Sequence, residues 1–371
     1  MRIAKPFLRL VGLFGFGLLL GLTAHAQTPQ LVNAKVETRA AEGNFSAQLG
    51  NVIRDQQQPA WIGYSVPAVA GNHQMCCGTY YDDGEMNGCG VCRLEGENDG
   101  TSVQSNRSTS EDKSQTVKLE GPEQLVVLLR AEHGTVGRIR TFSEDCQLDA
   151  GGLPVIWFTN VSGAQSVAAL TPFATSGDDT REDRSGQSAL SAIAVTGDPS
   201  AEHALEGFVA SNQPGSLREH AAFWLGAARG HEGYEVLQKL AREDSSDDLR
   251  AKVAFDLYVS HDPAATDEII HLAKNDRSSH VREQAIFWVA QKAGQRAAAA
   301  INEAIENDPD TEVKKRAVFA LSQLPREQGV PLLIQVAKTN ANPAVRKQAI
   351  FWLGQSHDPR ALAFFEEILA R

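Results

Sequence analysis

The sequence lacks most of the features from which a function is usually read. Cysteine is scarce, five in 371 residues, which excludes a disulfide-dense mini-domain. Basic residues are outnumbered, 35 Lys and Arg against 46 Asp and Glu, for a formal charge of −11. That balance argues against nucleic acid as a partner. There is no Gly-x-Ser-x-Gly elbow, no His-Glu-x-x-His pair and no phosphate-binding loop. His231-Glu232 opens like a zinc-protease motif, but Glu235 stands where the second histidine belongs. Asp82, Asp83 and Glu85 crowd one turn without the alternating ligands of a calcium loop. Nothing here holds a metal or cofactor by its spacing, and the reading is of a non-catalytic chain.

What is present starts with a leader. Arg2, Lys5 and Arg9 precede an uncharged apolar run over 11–22, and Ala24-His25-Ala26 gives a small-x-small end. Residues 1–26 therefore read as a cleaved signal peptide, too short in its apolar core for a membrane anchor. Without its three positive charges the remaining chain carries −14. No later segment has the length of a membrane span. The expectation is an exported protein, in a bacterial periplasm or outside the cell.

The second half repeats. Leu217-Arg218, Leu249-Arg250, Val281-Arg282, Val313-Lys314 and Val345-Arg346 open five blocks spaced 32 residues apart, and a weaker copy opens at Ser185. Within each block, positions one, five, six and nine are apolar, which is one face of a helix. Position seven is Phe223, Phe255, Phe287, Phe319 or Phe351. A second helix follows a turn marked by Asp198-Pro199, Asp262-Pro263 and Asp358-Pro359, each an N-cap acceptor before proline. It carries a small column, Ala201, Gly233, Ala265, Ala297, Gly329 and Ala361. Asn212, Asp244, Asp276, Asp308 and Asn340 precede the next block by five residues. They are placed to cap its helix, with the arginines forming a ladder of ion pairs along the array. Trp224, Trp288 and Trp352 stand at position eight of alternate blocks, Asp256 and Ala320 between them. These tryptophans either pack between repeats or serve as partner anchors. The last helix, with Phe364 and Phe365, ends the array on an apolar face that suits a partner or an oligomer seam.

The Asp276…Val281-Arg282 spacing and the Ala-Ile-Phe run after it resemble the HEAT repeat family, in particular its short repeats of the phycobilisome-lyase type. The resemblance covers residues 185–371 and implies an α-helical solenoid of six helix-pair repeats. It also implies second helices lining the concave face, and a scaffold that binds another protein. A chromophore-lyase-like enzyme is a weaker implication, with no residue here to carry that chemistry.

The first half differs in texture. Residues 27–60 are polar and read as a flexible or partly helical lead-in. From Trp61 the pattern is β-like: strands at 61–66, a hairpin at 124–131 and 135–142, and another strand at 154–161. Residues 61–175 thus form a small β-rich domain, and 176–184 a polar hinge before the solenoid. All the cysteines lie in this domain: Cys76, Cys77, Cys89, Cys92 and Cys146. In an exported protein they pair as disulfides with one thiol left over. Cys92 and Cys146, both bordering strands, are the expected pair, and Cys89 the spare. The alternative is a thiol-redox or metal-handling module built on Cys76, Cys77, Cys89 and Cys92, with the solenoid as its docking arm.

Overall fold

The computed structural model describes residues 29–71, 75, 79–82, 85–89, 91–95, 123–176, 185–292 and 295–370, with the backbone alone for 79–82, 85–89 and 295. The leader over 1–26, Cys76 and Cys77 and most of the hinge over 176–184 lie outside the described residues.

The strands are β1 (Leu31–Val32), β2 (Lys35–Ala40), β3 (Ala60–Pro67), β4 (Thr79–Asp82), β5 (Glu85–Cys89), β6 (Val91–Arg93), β7 (Gln124–Glu132), β8 (Thr135–Ser143), β9 (Gln147–Asp149) and β10 (Pro154–Thr159). Five form the main sheet, in the order β2-β10-β3-β7-β8. β10 runs parallel to both its neighbours, while β3, β7 and β8 are antiparallel. Successive side chains on a strand face opposite ways, and the core obeys that period. Leu125, Val127 and Leu129 join one apolar cluster, Val126 and Leu128 the other. The first face is covered by α1 (Phe45–Asp55) and α2 (Gly163–Ala174). Phe45 packs edge-on against Tyr64 and Phe158, at 5.4 and 5.3 Å. The second face is covered by the small sheet β1-β9-β6, which brings Cys92, Leu94 and Leu148 against Trp61 and Trp157. Of the two readings of this lead-in, flexible or partly helical, residues 29–60 follow the second: they supply an edge strand and a packed helix. They read as polar because only one stripe of α1, Phe45, Leu49, Val52 and Ile53, is buried.

Twelve helices follow: α3 (Ser185–Ala194), α4 (Pro199–Phe208), α5 (Gly215–Ala228), α6 (Gly230–Glu243), α7 (Asp247–Val259), α8 (Ala265–Asn275), α9 (Ser279–Lys292), α10 (Gln295–Asn307), α11 (Thr311–Gln323), α12 (Arg326–Thr339), α13 (Pro343–Gln355) and α14 (Pro359–Leu369). They stack as six antiparallel pairs. Asp198 and Asp358 cap α4 and α14 ahead of a proline, as their sequence implies. Asp262 does not cap α8, whose N-cap is Ala264; its carboxylate instead accepts from the Ala264 N–H at 2.8 Å.

The aspartate column also differs from expectation. The helix caps are Ser246, Asp310 and Asn342. Asp244, Asp276, Asp308 and Asn340, two residues earlier, brace the turn by accepting from the cap's own N–H. The three aspartates also receive the arginine of the preceding block. Arg250 is bidentate to Asp276 at 2.8 and 2.9 Å, Arg282 to Asp308 at 2.7 and 3.0 Å, and Arg218 binds Asp244. Each ion pair therefore ties one repeat to the next.

Successive first helices lie closely against one another, whereas successive second helices meet only sparsely. In a curved stack the layer with the shorter spacing is the inner one. The first helices, not the second, line the concave side. Small residues in the first-helix contacts, such as Ala221, Ala254, Ala285, Ala317 and Ala349, allow the short spacing.

Candidate functional site

The concave first-helix layer carries a continuous path of aromatic rings, and position eight of each block decides its local form. Where that position is tryptophan, the indole wedges between neighbouring repeats. Trp288 lies 4.7 Å from Phe255 and 4.8 Å from Phe287; Trp352 lies 4.9 Å from Phe319 and 5.0 Å from Phe351. Where it is Asp256 or Ala320, nothing intervenes and the phenylalanines stack directly: Phe223 on Phe255 at 6.1 Å, Phe287 on Phe319 at 6.5 Å. The alternation of tryptophan in the sequence is therefore a packing pattern with a period of two repeats. Trp224, Trp288 and Trp352 are all half-buried against the core, with one edge in reach of solvent.

Charged groups overlie the ladder with the same period. Lys252 is ion-paired with Glu219, and Arg316 lies over the rings of both Phe287 and Phe319, at 5.4 and 5.3 Å. Beneath the first pair sits Asp256, almost fully buried, with Oδ2 unpartnered. Burial pushes its carboxyl well above the usual carboxylate range, against the pull of Lys252. Arg316 Nε and Trp352 Nε1 are also buried without an acceptor.

The end of the array departs from expectation in detail. Phe364 is only 4 % exposed and closes the last repeat from inside, with Phe365 half-buried beside it. The open apolar surface comes instead from Phe351 at 53 %, Leu362 at 61 % and Leu369 at 85 % exposed, joined by Ile350 and Ile368. Leu362, Ile368 and Leu369 belong to the apolar last helix that the sequence marks, whereas Ile350 and Phe351 on α13 repeat the pattern of the inner blocks and were not singled out as exposed.

Of the cysteines, Cys92 and Cys146 are both fully buried in the second core cluster. They are not joined to each other. Cys92 aligns with Leu148 on the parallel strand β9, which leaves Cys146 two residues out of register. Cys146 Sγ lies instead 3.2 Å from the Met75 carbonyl. Cys76 and Cys77 and the side chain of Cys89 fall outside the described residues. Among the described residues no group of His, Cys, Asp and Glu has the arrangement of a metal site. His231 hydrogen-bonds Asp262 at 2.6 Å through Nδ1, and that bond raises the histidine's pKa. No helix among the described residues is long and apolar enough to cross a membrane.

The comparisons with known proteins address the helical half. No curated protein matches the chain in sequence. Among solved structures, human deoxyhypusine hydroxylase in complex with glycerol is 16 % identical, with a TM-score of 0.26, covering 55 % of this chain and 90 % of that one. The CpcE–CpcF complex of phycocyanin lyase from Nostoc is 22 % identical, with a TM-score of 0.32, covering 42 % and 99 %. Superpositions at this level carry no argument for activity. The family model described as HEAT repeats matches residues 298–371. That match identifies residues 298–371 as HEAT repeats, at the end of an array of six regular helix pairs.

Proposed function

We propose that this protein is an exported, non-catalytic scaffold that holds a protein partner against its solenoid. The observation that carries the reading is the distribution of exposed apolar side chains. Among the described residues, the large exposed ones are Val36, Val91, Ile350, Phe351, Leu362, Ile368 and Leu369, and five of these seven sit on α13 and α14. An apolar patch so concentrated marks an interaction surface rather than ordinary scatter. A rigid preformed array also loses little ordering entropy on binding. Export rests on the leader over 1–26, and N-terminal sequencing of the mature protein should begin at Gln27.

The same proposal includes a disulfide in the β-rich unit, from Cys146 to Cys76 or Cys77. Supporting it, Met75, the residue before Cys76, is bound to Ser143 through both backbone groups, its N–H giving to Ser143 Oγ at 2.8 Å and its carbonyl accepting from Ser143 N–H at 3.0 Å. Met75 directly precedes Cys76 in the sequence, and its carbonyl lies 3.2 Å from Cys146 Sγ. Peptide mapping under non-reducing conditions reads the linkage directly.

The partner claim is tested by affinity capture from the exporting compartment with the native protein and a Phe351→Glu, Leu362→Glu double variant. A partner captured by the first and lost by the second supports the reading. If sedimentation shows the native protein as a self-associated species through this face, the surface is an oligomer seam and the scaffold reading fails.

A further inference from the structure

The two-repeat period exposes a gap in the array. Shifting by 64 residues maps α7 onto α11 and α9 onto α13, so that Tyr258 corresponds to Ser322 and Trp288 to Trp352. In the first of these modules the Tyr258 ring lies against Trp288 at 4.9 Å and near Phe255 at 6.5 Å, with the Lys292 ammonium 5.1 Å above it. In the second module the tryptophan and phenylalanine remain, Trp352 against Phe319, but the tyrosine ring is gone. Ser322 turns its hydroxyl back to the Phe319 carbonyl at 2.6 Å. The result is a cavity of about 240 Å³ beside Trp352, floored by Leu321, Leu324, Val330 and Leu333. Its volume matches about eight waters, and Ser322, Gln323, Gln355 and Ser356 line it beside these apolar side chains. It has the size for a single aromatic ring, with Trp352 on one wall.

The same shift maps Asp262 onto Arg326, reversing the charge at the cavity's rim. Three equivalent turns keep an aspartate there: Asp198, Asp262 and Asp358. Among the described residues the Arg326 side chain makes no hydrogen bond, although its charge helps hold the Asp358 pKa down. The neighbouring carboxylates are already engaged. Asp358 is held by the Arg360 side chain and N–H, and Glu327 by Arg360 as well. Inside, the Trp352 Nε1 hydrogen has no acceptor.

We propose that this cavity binds a small aromatic carboxylic acid, its ring replacing the absent tyrosine against Trp352 and its carboxylate meeting Arg326. A ring over an indole reproduces the Tyr258–Trp288 contact that the chain itself uses. A guanidinium at the rim selects a carboxylate over a neutral group, because a charge-assisted hydrogen bond is about twice as strong as a neutral one. The cavity adjoins the exposed apolar patch, since Trp352 touches Phe351 at 5.0 Å, but no residue of that patch lines it.

The test is a calorimetric titration of the full chain with 3-phenylpropionate and with its neutral amide. The expected result is saturable binding, with the acid about tenfold tighter than the amide. Ser322→Tyr should abolish binding of both by filling the cavity. Arg326→Asp should remove the preference for the acid and leave the amide unchanged. Each variant installs the residue used 64 positions earlier, so thermal melts of both should show folded protein. Should the tyrosine overpack, Ser322→Phe and the Arg326 variant carry the same comparison. Undiminished binding in the filled variants, or no binding at all in the native protein, overturns the site. Equal affinity for acid and amide overturns the assignment to carboxylic acids.

Discussion

Arg250 is 1 % exposed, and Asp276 is its bidentate partner. Burying such a pair adds little net stability, yet removing one member leaves the other charge stranded. Arg250→Met should therefore cost about 3–5 kcal/mol in chemical denaturation. Adding Asp276→Leu should recover most of that loss, and a double variant as unstable as the single one would mean that the pair does more than cancel charge. The arginine and aspartate columns were legible in the sequence as a ladder. Their division of labour was not, because capping falls to residues two positions on and only the folded turn shows which side chain reaches which N–H.

Asp256 makes a prediction of opposite sign. Burial raises its carboxyl pKa in the folded state, the pull of Lys252 being the lesser effect. Below the unfolded-chain pKa near ~4, both states hold the proton and the group is neutral to folding. As pH rises the unfolded chain releases its proton first, so stability falls with pH until the folded pKa is passed. Asp256→Asn removes this penalty. Its unfolding free energy should match the native protein's at acidic pH and exceed it progressively above about pH 4, by on the order of 1–3 kcal/mol at neutrality. A difference independent of pH would show that the carboxyl is ionised in the folded protein.

At the scale of the element, the small column on the second helices has two kinds of member. Ala201, Ala265, Ala297 and Ala361 fit, but at Gly233 an added Cβ would stand 2.0 Å from the Leu225 carbonyl of α5, and at Gly329 2.3 Å from the Leu321 carbonyl of α11. Gly233→Ala should destabilise by about 1–3 kcal/mol through overpacking, although alanine is the better helix former and occupies the same column elsewhere. Thermal melts decide it; an unchanged or raised melting temperature would show that α5 and α6 can separate without loss. The sequence marked these positions as small. It did not separate alanine from glycine, since the distance between two helix backbones depends on every side chain in the contact. The tryptophans teach the same lesson. Their alternation was visible, but their wedge position came only with the neighbouring repeat in place.

At the scale of the whole molecule, the β-rich unit and the solenoid share one apolar cluster running from Phe45 to Phe364. The join is made by backbone as well as side chains. Val69 N–H gives to the Val195 carbonyl at 2.9 Å and Gly197 N–H to the Pro67 carbonyl at 2.7 Å. Arg229 closes the end of α3 by donating to the Thr196 carbonyl at 3.0 Å. A solenoid needs a cap on its terminal repeats, and here α2 and the edge of the main sheet serve as that cap for α3. A fragment spanning 185–371 should therefore melt well below the full chain and with a broader transition. A fragment as stable and as cooperative as the whole would show that the β-rich unit is only attached.

The sequence by itself determined the repeat, its length, the helix pairs, the apolar faces and most strands of the first half. These follow from local periodicity, which survives in any chain whose core-facing positions recur regularly. The tertiary structure alone decided which helix layer is concave, that residues 29–60 are packed with the sheet, that α13 adds Ile350 and Phe351 to the exposed apolar surface, and that an absent tyrosine ring leaves a cavity beside Trp352. Each of these depends on what lies across a contact, and a pattern read along one chain carries no information about the neighbour that fills or fails to fill the space.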